Sequence, residues 1–164
     1  MPKNRLKQRL LKQRNMAEKE TLTFKIGISG TYWNKRPAYS IAIDDVVIIP
    51  HKETLESDQI DFIQFQHTID DDAEHSLKIT LLNKDDSDTV ESTDKTTIIK
   101  DMLLNVKSVE IDDIDLGQLI WTSSEFIAAD PSRPTLNSCV NLGWNGSYIL
   151  KFRSPFYLWL LENL

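Results

Sequence analysis

The chain of 164 residues is poor in the residues that carry the commonest chemistries. Its single cysteine, Cys139, excludes an internal disulfide, so nothing in the sequence calls for an oxidising compartment. Five glycines form neither a GxGxxG fingerprint nor a phosphate-cradling loop. Three histidines make no HExxH pair, and His67 has no second His or Cys at metal-ligand spacing. No GxSxG elbow is present, and Cys139 has no evident His partner. No apolar run approaches the roughly 18 residues that a membrane span needs. The basic N-terminal stretch is not followed by the apolar region of a secretory signal, so the sequence reads as soluble and made in a cytoplasm. These absences point away from an enzyme and towards binding or scaffolding.

What is present is an uneven distribution of charge. The net charge of −6 divides into +5 over residues 1–20 and −11 over the remainder. A cationic arm is thus joined to an anionic body. The arm carries Arg5, Lys7, Arg9, Lys12 and Arg14 around Leu6, Leu10 and Leu11, with no glycine or internal proline, a composition compatible with a helix. Two readings lead for it: a solvated tail, or an anchor that docks on an acidic protein surface or on nucleic acid; a membrane-surface helix is the weaker alternative, because the stripe lacks aromatic residues. An anionic body beside DNA is repelled, so nucleic acid is an expected partner only through the arm.

The body, residues 21–164, reads as one all-β domain, an antiparallel jelly-roll-like β-sandwich with an apolar C-terminal segment. Its organising stretch is His75 to Leu116. Leu77, Ile79 and Leu81 alternate with Ser76, Lys78 and Thr80, the period of a half-buried strand. A second strand runs from about Met102 to Ile111, with Leu104 and Val106 in one phase and Val109 and Ile111 in the other. That slip predicts a bulge at Lys107 or Ser108. The two strands are expected to be neighbours, with the acidic connection between them at one rim of the sandwich.

Around them, Leu22–Ile28, Ser40–Ile49 and Ile60–Ile69 read as strands, with Asp44-Asp45 as a bulge or tight turn and Asp70 to Glu74 as a hairpin tip. Ile114 to Trp121 reads as a further strand, and 122–138 as loop around Pro131 and Pro134. Asn145-Gly146 predicts a type I′ hairpin turn. Ser154-Pro155 is a helix start, after which Phe156, Trp159, Leu160 and Leu164 share a face, although the same residues also alternate as a strand. Both faces of this terminus are apolar, the mark of a subunit or partner contact, for which Phe156 and Trp159 are the candidates.

The run HSLKITLLNKDD, followed by DMLLNVKSVEIDD, resembles the calcium-dependent xylan-binding carbohydrate-binding modules over about a quarter of the chain. The resemblance implies a β-sandwich, calcium held near Asn83, Asp85, Asp86 and Asp101, and glycan as ligand. Met102-Leu103 and Asp112-Asp113 depart from the pattern. Read from the residues alone, the acidic loop is not an EF-hand: starting at Asp70, His75 and Leu81 occupy the positions that need Gly and Glu, and starting at Asn83 they are Asp88 and Asp94. Trp33, Tyr39 and Trp144 lie near polar groups suited to stacking a sugar ring, or they cap the core. In general character, with a short cationic arm on a small acidic all-β body and the phrases NLGWNGSYILKF and SPFYLWLLENL, the chain also looks like virion proteins of tailed bacteriophages. That likeness implies a non-enzymatic structural component of a virus particle, made in the host cytoplasm and contacting other subunits; the alternative is a calcium-dependent glycan-binding module.

Overall fold

A computed structural model describes Arg5 and residues 19–164. Two antiparallel sheets face each other across one core, as the alternating patterns predict. The first sheet contains β1 (Lys19–Thr31), β4 (Asp61–Asp70), β8 (Leu103–Ile111) and β12 (Asn141–Leu142) in the order β12-β8-β1-β4, with β9 (Ile114–Asp115) on β8. The second contains β2 (Ala38–Ile43), β3 (Val46–Glu53), β5 (Glu74–Leu81), β10 (Ser124–Ala128), β11 (Leu136–Asn137) and β13 (Gly146–Arg153), in the order β11-β10-β13-β5-β2-β3. A small hairpin, β6 (Val90–Glu91) and β7 (Ile98–Lys100), stands apart in the acidic connection. Helix α1 (Leu119–Thr122) is a single turn, and α2 (Phe156–Asn163) closes the chain. No helix among the described residues is long and apolar enough to cross a membrane.

The core follows from the period of two. Leu22, Phe24, Ile26 and Ile28 of β1 meet Leu77, Ile79 and Leu81 of β5 and Tyr148, Leu150 and Phe152 of β13, all essentially inaccessible to solvent. Phe24 stacks on Phe65 at 5.2 Å within its sheet and contacts Phe152 of the opposite sheet at 6.1 Å. The predicted bulge lies at Lys107: Gly27 pairs with Ser108 and Ile28 with Val106, leaving Lys107 without a partner. The extra residue reverses the phase of β8, so Leu104, Val106, Val109 and Ile111 all point into the core.

Alternation assigns faces but not partners, and the corrections lie there. Strands β5 and β8 are not neighbours; they belong to opposite sheets. The segment after Asp70 is a corner between sheets rather than a hairpin tip, because β4 pairs with β1 and β5 pairs with β13 and β2. Asn145-Gly146 is likewise a sheet switch from β12 to β13. A Cβ at Gly146 would stand 2.4 Å from the Ile127 carbonyl oxygen, so glycine there serves close backbone approach. The real two-residue turns are the acid pairs: Asp44 and Asp45 (φ 48° and 66°) join β2 to β3, and Asp112 and Asp113 (φ 50° and 64°) join β8 to β9. Each first aspartate extends pairing to the next strand, Asp44 accepting the Ser76 N–H and Asp112 the Thr23 N–H, both at 2.8 Å. The segment Leu119 to Trp121 is helical rather than a strand, and the presumed loop 122–138 supplies β10, paired with β13 through Phe126 and Tyr148.

Candidate functional site

The acidic connection between β5 and β8, residues 82–102, is held by side chains acting in place of backbone. Asn83 accepts the Ala38 N–H at 2.8 Å and donates to the Arg36 carbonyl at 2.9 Å, extending the ladder of β5 past its end. Asn145 does the same for Lys84, accepting its N–H at 2.8 Å and donating to its carbonyl at 2.9 Å. Lys84 is only 10% exposed, and its ammonium donates to Asp101 at 2.6 Å and to the Gly143 carbonyl. Asp101 also accepts Thr89 Oγ1–H at 2.7 Å and the Met102 N–H at 2.9 Å. Burial alone would raise the Asp101 carboxyl, but Lys84, Thr89 and the Met102 N–H outweigh it and hold it below the usual carboxylate range.

A second lysine does similar work nearby. Lys35 donates to Asp85 and lies 3.0 Å from Asp88, whose carboxylate also takes Asn34 Nδ2–H at 3.1 Å and the Asp85 N–H at 2.8 Å. Burial opposes ionisation of Asp88, yet the Asp85 N–H, Lys35 and Asn34 together depress its carboxyl. Asp86 is exposed on the single 3₁₀ turn that Asp85 caps. The four residues assigned to calcium are therefore divided: Asn83 is spent on backbone, Asp85 on Lys35, Asp101 on Lys84, and Asp86 faces solvent. Among the described residues no group of three or more His, Cys, Asp and Glu is disposed to hold a metal ion. Two lysine ammonium groups, Lys84 inside and Lys35 nearer the surface, occupy the positions beside these carboxylates, and the donor set as arranged does not fit calcium.

Of the three aromatics assigned to glycan, Tyr39 is fully buried and is corrected to a core residue. Trp144 lies between Phe126, 5.6 Å away, and the Arg133 guanidinium, 4.5 Å from its ring centre, and this covers the ring. Trp33 is 44% exposed; its indole N–H donates to the Asp88 carbonyl at 2.9 Å, and Lys100 stands over the ring at 4.9 Å. An open cleft of about 420 Å³ on the outer face of the second sheet runs past Lys78, Thr80, Ser147 and Ile127, with no aromatic ring in its lining.

The opposite end of the sandwich is capped by α2. Phe156, Trp159 and Leu160 point inward, with Phe156 and Trp159 6.0 Å apart and Phe152 6.3 Å from Trp159. These two rings, assigned to a partner from sequence, belong to the domain's own core, since a helix of this period turns them towards Phe152. The outward face carries Tyr157, Leu158 and Leu161, 50%, 57% and 72% exposed, continued by Leu164 at 84%. Leu164 thus leaves the face that the sequence pattern assigned to it. Glu20 of β1 anchors the helix, its Oε2 accepting the Phe156 N–H at 3.1 Å. The outward stripe was visible only as a two-sided apolar terminus, and the choice of helix over strand separates its faces. Among the arm residues, Arg5 is exposed, and Lys7, Arg9, Lys12 and Arg14 lie outside the described residues.

No family model and no curated protein matches this chain. Among solved structures, the carbohydrate-binding module vCBM60 in complex with galactobiose aligns with a TM-score of 0.46 and 9% identity, over 78% of this chain and 96% of that one.

Proposed function

We propose that the protein is a non-enzymatic structural module that docks on other protein subunits through the outer face of its C-terminal helix. In its most specific form the assembly is a virus particle. One observation carries this reading: α2 buries one apolar face in the domain and still presents a second, formed by Tyr157, Leu158 and Leu161. A helix that only closed a core would be polar outside. Fully burying a leucine side chain gains roughly 1.5–3 kcal/mol, so covering these partly exposed side chains would favour a contact and could form its apolar centre. The test is the double substitution Leu158→Asp/Leu161→Asp, followed by incorporation into the particle in a complementation assay. Loss of incorporation with an unchanged melting temperature is expected; normal incorporation would overturn the reading.

Glycan binding is the second reading, favoured by the half-exposed Trp33 ring beside Lys35, Asn34 and Lys100. With Lys84 and Lys35 in place of a metal, retention on a polysaccharide would be independent of calcium and lost in Trp33→Ala. Absence of retention on a broad glycan panel would eliminate it.

A further inference from the structure

We propose that the helix-capped end of the domain is the seat for the basic arm of a second copy of this chain, so that copies join head to tail. This rests on the docking role of α2 argued above and names its partner. Two acidic segments border the helix-capped end, and a third lies behind one of them. Tyr157 Oη lies 3.4 Å from Asp112 in the Asp112-Asp113 turn, and the Ser154 N–H donates to the Ala73 carbonyl at 3.0 Å in the corner that holds Asp70, Asp71 and Asp72. His75 ties the Asp44-Asp45 turn to that corner, contacting Asp44 through Nδ1 and the Asp70 carbonyl through Nε2. The apolar stripe thus has carboxylates at its border, Asp112 beside Tyr157 and Asp71 beside Ser154.

The sequence contains one segment of the complementary chemistry. Residues 1–20 carry +5, with Leu6, Leu10 and Leu11 set among Arg5, Lys7, Arg9, Lys12 and Arg14. Apolar residues meeting the stripe while cations meet the rim would satisfy both components at once. The arm joins the domain at this same end: Lys19 pairs with Asp70, and the next residue, Glu20, holds the first turn of α2. Capture of the arm by its own copy's helix is the competing arrangement, and the association test below separates the two. Eighteen residues reach at most about 60 Å, enough to cross to an adjoining copy. The donor arm and the acceptor face are different surfaces, so the contact is heterologous and builds rings or open chains.

The experiment uses two full-length variants and sedimentation velocity. Arg9→Glu/Lys12→Glu/Arg14→Glu disables the arm and leaves the helix face; Leu158→Asp/Leu161→Asp disables the face and leaves the arm. The wild type is expected to associate as concentration rises and to dissociate with salt. Each variant alone is expected to stay monomeric, and an equimolar mixture to yield a dimer of one copy of each, since only one productive contact remains. A mixture without heterodimer would overturn the proposal. An arm variant that associates as strongly as the wild type would overturn it while sparing α2 as a docking face, which would then pair with itself. Association of the arm variant alone, with a monomeric wild type, would mean that the arm covers its own helix, and would also overturn it.

Discussion

Replacing Lys84 with methionine tests whether the internal ammonium holds the acidic connection together. The substitution keeps most of the apolar stem and removes the charge that lies 2.6 Å from Asp101. It leaves a carboxylate 20% exposed, with only Thr89 and the Met102 N–H as donors, and it deprives the Gly143 carbonyl of its lysine donor. Breaking a buried ion pair on one side costs about 3–5 kcal/mol. The partial exposure and surviving donors of Asp101 reduce this to about 2–4 kcal/mol. For a domain of this size that corresponds to a fall of about 5–15 °C in melting temperature. Lys84→Met/Asp101→Leu removes both charges and is expected to recover at least half of the loss, a coupling of about 1–3 kcal/mol in a double-mutant cycle. Thermal and urea unfolding of the four proteins read this directly. A Lys84→Met variant within about 0.5 kcal/mol of wild type, or additive single and double variants, would refute the assignment of Lys84 as the keystone of the loop.

The remaining expectations concern the same two ends of the sandwich. Trp159→Ala and Phe156→Ala should each lose about 3–5 kcal/mol in chemical denaturation, whereas Leu161→Asp on the outer face should stay within about 0.5 kcal/mol of wild type. Asn145→Ala should cost about 1–3 kcal/mol, because the Lys84 N–H and carbonyl would lose their partner inside a packed corner. Asp88 and Asp101 ionise more readily in the folded state than in the unfolded chain. Their contribution is therefore complete above the unfolded carboxylate value of about 3.9 and is lost as pH falls through the lower folded values; acid titration followed by the Trp33 indole N–H resonance, which reports its bond to the Asp88 carbonyl, should show the connection failing in that window. Calcium and chelator should leave the melting temperature unchanged, since Lys84 and Lys35 stand beside the carboxylates; a calcium-induced rise would show that they move aside for a metal.

The faces of the strands were legible in the sequence because alternation records burial residue by residue, and even the bulge at Lys107 showed as a slip of phase. Pairing was not legible, since nothing local in Leu77, Ile79 and Leu81 distinguishes a partner in the same sheet from one across the core. Asn145-Gly146 was misleading for a related reason: the residues that suit a tight hairpin also suit a switch between sheets, and only the approach of Ile127 to Gly146 decides between them. At the acidic connection the sequence singled out Asn83, Asp85 and Asp101 but passed over Lys84, whose position among them marks a site already neutralised from within. At the C-terminus the two-sided apolar pattern was plain, whereas the allocation of Phe156 and Trp159 to the core, and of Tyr157, Leu158 and Leu161 to the surface, depended on helical rather than extended geometry.

A docking role for the outer face of α2 makes association of the chain depend on Leu158 and Leu161. Its most direct test is the sedimentation-derived mass of the full-length protein, compared with that of Leu158→Asp/Leu161→Asp over about a hundredfold range of concentration. The wild-type mass is expected to climb above the 18.9 kDa of one chain, and that of the variant to stay at 18.9 kDa. Identical masses for the two proteins at every concentration would contradict docking between copies and leave only a different subunit as the partner of this face.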